Sequence, residues 1–257
     1  MTNEQIRNKW EQELNKAERL NISAVSKLYR QEYRKVIPQA VDNLPIDERA
    51  IFRFELMQDM LVNLYVKIGG QFALWYYNEF KDYTTKAEPN LDLFSEIWAN
   101  DFASFAKRYA GEQIVLLQGT ALATIKKVIR KLVLSEEFQR AGATVRARML
   151  QARFDKLSYL QAERIVRTEA TTAANYAIEQ SAVTMYPREQ LKKRWITSMD
   201  GRERDWHGAV NNQEVLSNET FFVGGERLMR AGQGSGRNRI NCRCVTIQIP
   251  QVRTLDL

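Results

Sequence analysis

The sequence has little of what most catalytic and metal sites are built from. It holds one histidine, two cysteines and five prolines in 257 residues. Two cysteines exclude a disulfide-stapled scaffold. One histidine excludes any centre needing two imidazoles from one chain. No stretch approaches the roughly 18 uncharged apolar residues of a membrane span. Apolar clusters such as Leu61 to Val66 are interrupted by polar or charged side chains. Met1 to Trp10 is polar and lacks the apolar core of a signal peptide, so a soluble protein made in a reducing cytoplasm is expected. Hydrophobic residues nevertheless make up 44%, which argues against disorder. A chain of this length can hide roughly three-quarters of its unfolded surface.

The formal net charge of +7 is unevenly spread. Residues 1–125 carry 15 basic against 17 acidic side chains, and residues 126–257 carry 23 against 14. The whole basic excess therefore lies in the second half, which suggests different partners for the two halves. Leu122, Ile125, Val128, Ile129, Leu132 and Val133 mark an amphipathic helix whose other face carries Lys126, Lys127, Arg130 and Lys131. Arg146, Arg148, Arg153 and Lys156 follow. Such a face either solvates a helix or meets phosphate.

The first 180 residues read as helix. Ile6, Trp10, Leu14, Ala17 and Leu20 recur at spacings of three and four. Asp47 and Glu48 after Pro45 look like a helix start, and Gly69-Gly70 like a break. Thr84 to Asn90 reads as a turn, with a helix from about Leu91 carrying Phe94, Ile97, Trp98, Phe102 and Phe105 as core. Ser158 could cap a helix from Tyr159 to Ala182, ending before Pro187. Beyond Pro187 the texture changes. Seven of the 12 glycines lie from Gly201 onward, and Arg194 to Thr197 and Val245 to Ile249 look like strands, the latter half-buried. The expected fold is α+β and predominantly helical: a helical region, 1–157, then a small loop-rich module, 158–257.

The rare residues fall inside that module. His207, Cys242 and Cys244 are accompanied by Asp200, Arg202, Arg204 and Asp205. In an extended strand residues two apart share a face, so both cysteines could point towards His207. With Asp200 they would make a tetrahedral zinc site. The alternative is two buried thiols beside a hydrogen-bonded histidine. A disulfide across Cys242 and Cys244 would be strained. A Cys–His–Asp hydrolase is conceivable, but no activating environment for a nucleophile is evident. Ala231 to Gly236 lacks the Gly-Lys-Ser/Thr of a P-loop and reads as a mobile loop, whose neighbours Arg230, Arg237 and Arg239 could touch phosphate.

One ordered set of residues is distinctive. Arg164-Ile-Val-Arg-Thr-Glu-Ala170 is followed by Asn175, Lys193-Arg-Trp195, Asp200, Arg204, His207, Phe221 or Phe222, and Ile240-Asn-Cys-Arg-Cys244. Over about residues 160–250 the chain resembles the phage head morphogenesis family, the Mu F-like minor head proteins. Two departures stand out: Asn211-Asn212 replaces the family's glycine turn after the histidine, and Gly232 to Gly236 replaces a proline-rich approach to the cysteines.

The resemblance implies a minor structural protein of a tailed-phage or prophage head. It would be found in the virion, after assembly in the host cytoplasm. Its partners would be the portal protein and other head proteins, and it would act in head assembly and DNA packaging or delivery, with no enzymatic activity. It also implies that Arg167 and Glu169 face the loop from Asp200 to His207, forming a structural network with Arg204. A zinc ion on His207, Cys242, Cys244 and Asp200 could pin the module. Lys126, Lys127, Arg130, Lys131, Arg146, Arg148, Arg153, Arg237 and Arg239 would contact double-stranded DNA without sequence specificity. The competing reading is a metal- or cysteine-dependent hydrolase or nuclease centred on His207, Cys242 and Cys244.

Overall fold

The computed structural model describes residues 1–83, 91–199 and 201–251. Helices α1 (Asn3–Arg34), α2 (Ile37–Val41), α3 (Phe54–Phe80), α4 (Leu91–Val133), α5 (Glu136–Arg140) and α6 (Ala143–Met185) come first. They are followed by β1 (Leu191–Ile196), α7 (Asp205–Gly208), β2 (Glu214–Leu216), β3 (Phe221–Val223), β4 (Glu226–Leu228), α8 (Gly236–Arg239) and β5 (Val245–Pro250). The fold is thus α+β and predominantly helical, with its strands gathered at the C-terminal side. No helix among the described residues is long and apolar enough to cross a membrane.

The apolar stripe of α1 is buried through Ile6, Trp10, Leu14 and Ala17, passes by Leu20, which is exposed, and continues through Val25, Tyr29 and Tyr33. Several local expectations change. Asp47 and Glu48 lie outside any helix, and α3 starts at Phe54. Gly69-Gly70 does not break α3. A Cβ on Gly69 would sit 2.5 Å from the Phe102 ring, so this glycine permits a close helix approach. Ser158 is no cap: inside α6, its hydroxyl donates to the Phe154 carbonyl at 2.9 Å. α6 contains neither glycine nor proline, so nothing local ends it and it crosses the expected division at 157/158. The expected turn from Thr84 to Asn90 lies outside the described residues.

The chain forms two compact units that interleave along the sequence. One comprises Leu20–Val62 and Phe105–Ile165. Its core includes Tyr33 stacked on Phe154 at 5.1 Å and Tyr29 tilted against Phe52 at 4.9 Å. Glu32 accepts the Phe52 amide at 2.7 Å. Near the end of α4 and the start of α6 lies a groove of about 780 Å³ with an apolar floor that includes Leu132 and Leu157. Lys127, Lys131, Arg153 and Lys156 also line it.

The other unit comprises Met1–Arg19, Asn63–Ser104 and Val166–Leu257. Its antiparallel sheet has the order β2-β1-β5, with Trp195 opposite Thr246 and Arg194 opposite Glu214. Strands β3 and β4 form a hairpin closed by Gly224-Gly225, both at positive φ, which is the backbone a two-residue turn of this twist requires. Strand β5 is buried on both faces over Val245 to Gln248, not half-buried. Its polar side chains are satisfied inside: Thr246 accepts the Ala231 amide at 2.9 Å, and Gln248 accepts the Ser217 hydroxyl at 3.2 Å.

Candidate functional site

The site is assembled on the backbone of residues 241–244, just before β5. Cys242 and Cys244 turn inwards and are each 2% exposed, within a cluster that includes Trp195, Phe221, Val223 and Ala231. Arg243 points the other way, donating to Glu18 at 2.6 Å and Asn15 at 2.8 Å. The backbone between them is clamped by side chains. The Thr171 hydroxyl donates to the Cys242 carbonyl at 2.5 Å, the Trp10 indole to Arg243 at 2.9 Å and the Asn175 amide to Cys244 at 3.1 Å. Asn175 also accepts the Thr246 amide at 2.6 Å, so it pairs with the chain as a neighbouring strand would. Small side chains on α6, among them Ala170, Ala173 and Ala174, are buried and keep this face of the helix low. Gly232, at φ +82°, brings its carbonyl to the Thr172 hydroxyl at 2.9 Å, where a Cβ would lie 2.8 Å from the Thr172 Cα.

His207 sits on α7 and is 2% exposed. Its Nδ1 lies 3.5 Å from Cys244 Sγ and 3.8 Å from Cys242 Sγ. Its Nε2 lies 3.3 Å from Asn238 Oδ1. The Asn238 amide is oriented in turn, because its nitrogen donates to Val223 at 3.1 Å and its oxygen accepts the Trp206 indole at 2.8 Å. Asn238 therefore takes the Nε2 proton and leaves the Nδ1 lone pair facing two sulfurs. Trp195 meets the imidazole edge-on at 5.6 Å. Gly224 makes room for this arrangement, since a Cβ there would fall 2.7 Å from the Trp206 ring.

The two thiols are driven apart. A hydrogen bond from Cys244, followed by His207, holds Cys242 well below the ordinary thiol range against the effect of burial. Donating that bond, together with burial, pushes Cys244 well above it. The Trp195 indole and the Ser198 amide oppose the rise. Among the described residues His207, Cys242 and Cys244 form a group whose donor atoms all lie within 4.8 Å of one another.

Beside them is a polar pocket of about 610 Å³, lined also by Arg167, Glu203 and Arg204. Asp200, the expected fourth ligand, lies outside the described residues. Arg204 donates to the Ile240 carbonyl at 2.7 Å. Of the expected network of Arg167, Glu169, Asp200, Arg204 and His207, Asp200 is not among the described residues, and Arg167 and Glu169 make contacts with α1, α3 and α8. Arg167 pairs with Glu18 at 3.6 Å. Glu169 accepts Tyr65 at 2.7 Å and lies 3.6 Å from Arg239, its carboxyl raised by burial. Neither of these contacts is with the loop before His207, because α1, α3 and α8 supply the partners.

The basic residues also divide. Lys127, Arg130, Lys131, Arg148 and Arg153 are exposed. Lys126 is exposed but paired with Glu48 at 2.7 Å. Arg146 donates to the Phe138 and Gln139 carbonyls at 2.9 and 2.8 Å, which ties it to the end of α5. Arg239 is buried against Glu169, away from any ligand, because α8 turns it inwards. Arg237 stacks on Trp206 at 4.2 Å while remaining exposed. Arg230 is buried against Glu179 at 2.7 Å.

Asn238, Trp206, Thr171 and the α1 residues Trp10, Asn15 and Glu18 were not legible as site residues. The first three lacked any distinguishing spacing. The α1 residues stand more than 220 positions before Arg243, which they contact.

The model of the Phage Mu protein F like family matches residues 115–247, just over half of the chain. The match starts earlier than the resemblance at 160–250 and takes in the end of α4. Among curated proteins, NAD(+)--arginine ADP-ribosyltransferase EFV of Enterococcus faecalis is 32% identical over 100 residues, which covers 36% of this chain and 19% of that protein. The chain thus spans about a fifth of that relative's length. No solved structure matches. The family match over the whole of α6 and through the His207, Cys242 and Cys244 cluster settles membership: the chain belongs to the Phage Mu protein F like family of phage head morphogenesis proteins.

Proposed function

We propose that the protein is a minor head protein that works next to the portal during head assembly and DNA packaging or delivery, as a structural component rather than an enzyme. Family membership carries the head assignment. The structural role is supported by the burial of the site: His207, Cys242 and Cys244 are each 2% exposed, and both cysteines belong to the apolar cluster around Trp195 and Phe221. The ADP-ribosyltransferase named in one relative concerns that longer protein, of which this chain covers 19%.

In this reading the exposed cations around the groove in the unit of Leu20–Val62 and Phe105–Ile165 meet the phosphates of packaged duplex DNA. Counterion release then supplies affinity without sequence preference. The remaining surfaces dock on portal and head proteins. Two experiments test this. Imaging assembled heads for the tagged protein should place it at the portal vertex, and its absence from heads would overturn the assignment. Duplex retention by the purified protein at low ionic strength tests the DNA contact, and no retention would overturn that part alone.

A further inference from the structure

We propose that His207 Nδ1, Cys242 Sγ and Cys244 Sγ bind a single zinc ion whose fourth coordination position faces the polar pocket that holds Glu203. Three observations converge on this site.

The first is donor geometry. Three donor atoms from two separate segments lie within 4.8 Å of one another. Both sulfurs address the same ring nitrogen, at 3.5 and 3.8 Å. In a metal-free cluster the Nδ1 lone pair accepts only one S–H, and the second thiol turns to its neighbour, as Cys244 does to Cys242. A metal ion satisfies all three atoms at once. Zinc takes this mixture of thiolate and imidazole in tetrahedral geometry.

The second is the support around the donors. Metal-bound histidines hold their other ring N–H on an oxygen that fixes the ring. Asn238 Oδ1 does this for His207 Nε2 at 3.3 Å, and Asn238 is itself anchored on Val223. The carbonyls of Cys242, Arg243 and Cys244 are each held by a side chain from α1 or α6. The cysteines are thus presented on a backbone segment that side chains hold on both sides, just before β5.

The third is the pocket. Glu203 Oε2 is buried and has no hydrogen-bond partner among the described residues. It lines the same pocket as the three donors. A buried carboxylate oxygen without a partner is costly unless a cation or donor faces it. An ion at the triad would open onto the pocket that Glu203 lines, although the Glu203 carboxylate stands outside the group of donors within 4.8 Å of one another.

The inference stands independently of the DNA contact, so its failure and that of the head assignment are distinguishable. The full chain is purified without chelator and its metal content measured, with one zinc per chain expected. Cobalt(II) replacement should give thiolate-to-metal charge-transfer bands and the d–d bands of a tetrahedral site. Cys242→Ser should abolish both bands. Where that variant fails to fold, Asn238→Ala decides, because it keeps every ligand and removes the oxygen that orients His207, with its bonds to Val223 and Trp206, while a thermal melt checks that the variant is folded. Its zinc affinity, read by competition with a chromogenic chelator, should fall about 10- to 100-fold. Glu203→Gln should also weaken binding, while leaving the sulfur charge-transfer bands in place. Chelation of the wild type should lower its Tm. Metal-free protein that takes up no cobalt and releases two free thiols on denaturation would overturn the proposal. So would a disulfide between Cys242 and Cys244 in freshly prepared, metal-free protein.

Discussion

Six exposed cations on α4 and α6, in or near the groove, carry no ion pair among the described residues: Lys127, Arg130, Lys131, Arg148, Arg153 and Lys156. Lys126 is left out because Glu48 already neutralises it, and Arg146 because it caps α5. If each of the six displaces one counterion, the logarithm of duplex affinity should fall with the logarithm of salt at a slope of about −5. Between 50 and 200 mM salt that is a loss of about 10³-fold. Replacing Lys131→Glu and Arg153→Glu removes two of the six contacts and should bring the slope to about −4 and the loss to roughly 10²-fold. Fluorescence anisotropy of a labelled duplex, titrated at several salt concentrations, reads both slopes. Lys126→Ala and Arg239→Ala serve as internal controls and should leave the slope unchanged. A wild-type slope shallower than about −2, or one the double variant does not move, would refute the assignment of these six side chains to phosphate.

Three further outcomes are expected in the unit that carries the cysteines. Gly69→Ala places a Cβ 2.5 Å from the Phe102 ring, so overpacking should outweigh the gain in helix propensity and cost about 1–3 kcal/mol; a thermal melt with unchanged or raised Tm would contradict this. Arg230→Ala removes the 2.7 Å partner of buried Glu179 and leaves it to Arg188 at 3.4 Å and the field of Lys193, so it should cost about 3 kcal/mol in denaturant melts. Much of that loss should return in the double variant with Glu179→Ala, and additive losses would show the pair is not coupled. Lys193 is 1% exposed, and burial lowers its pKa to about 8. The unfolded chain then holds more protons than the folded one above that value. Unfolding free energy should therefore rise as pH climbs from about 8 towards 10, and Lys193→Met should flatten the rise. A profile that falls over this window would reverse the sign and refute the buried charge.

Much of the architecture was legible because it depends on local chemistry. The α1 stripe and the start of α4 at Leu91 follow from side chains a few positions apart. The β1 and β5 strands carry the branched and aromatic residues that pleated surfaces favour. What local chemistry could not reveal is what a distant element makes of a residue. Gly69-Gly70 looks like a break until Phe102 is seen to need the space. Ser158 looks like a cap until the continuity of α6 takes it inside. The polar residues of β5 suggested a wet face, and only Ala231 and Ser217 show why it is dry. At the site, Cys-x-Cys spacing and a lone histidine marked the donors. Their alignment depends on Asn238, whose position relative to His207 is set by a hairpin and α8. Arg239 was grouped with the surface cations because its charge was visible and its carboxylate partner, 70 residues earlier, was not.

The contact between Trp10 and the Arg243 carbonyl joins residues 233 positions apart. Its consequence is one of timing. A ribosome adding about 5–20 residues per second needs roughly 10–50 s between emitting the indole and emitting its acceptor. For that interval the first turns of α1 have an apolar face without its final cover, while the helices behind them are already able to form. Contacts of such long range close slowly even in a finished chain. The cysteine pair is therefore enclosed last, so protease resistance at Trp10 should appear only after residues 242–250 have been released from the ribosome.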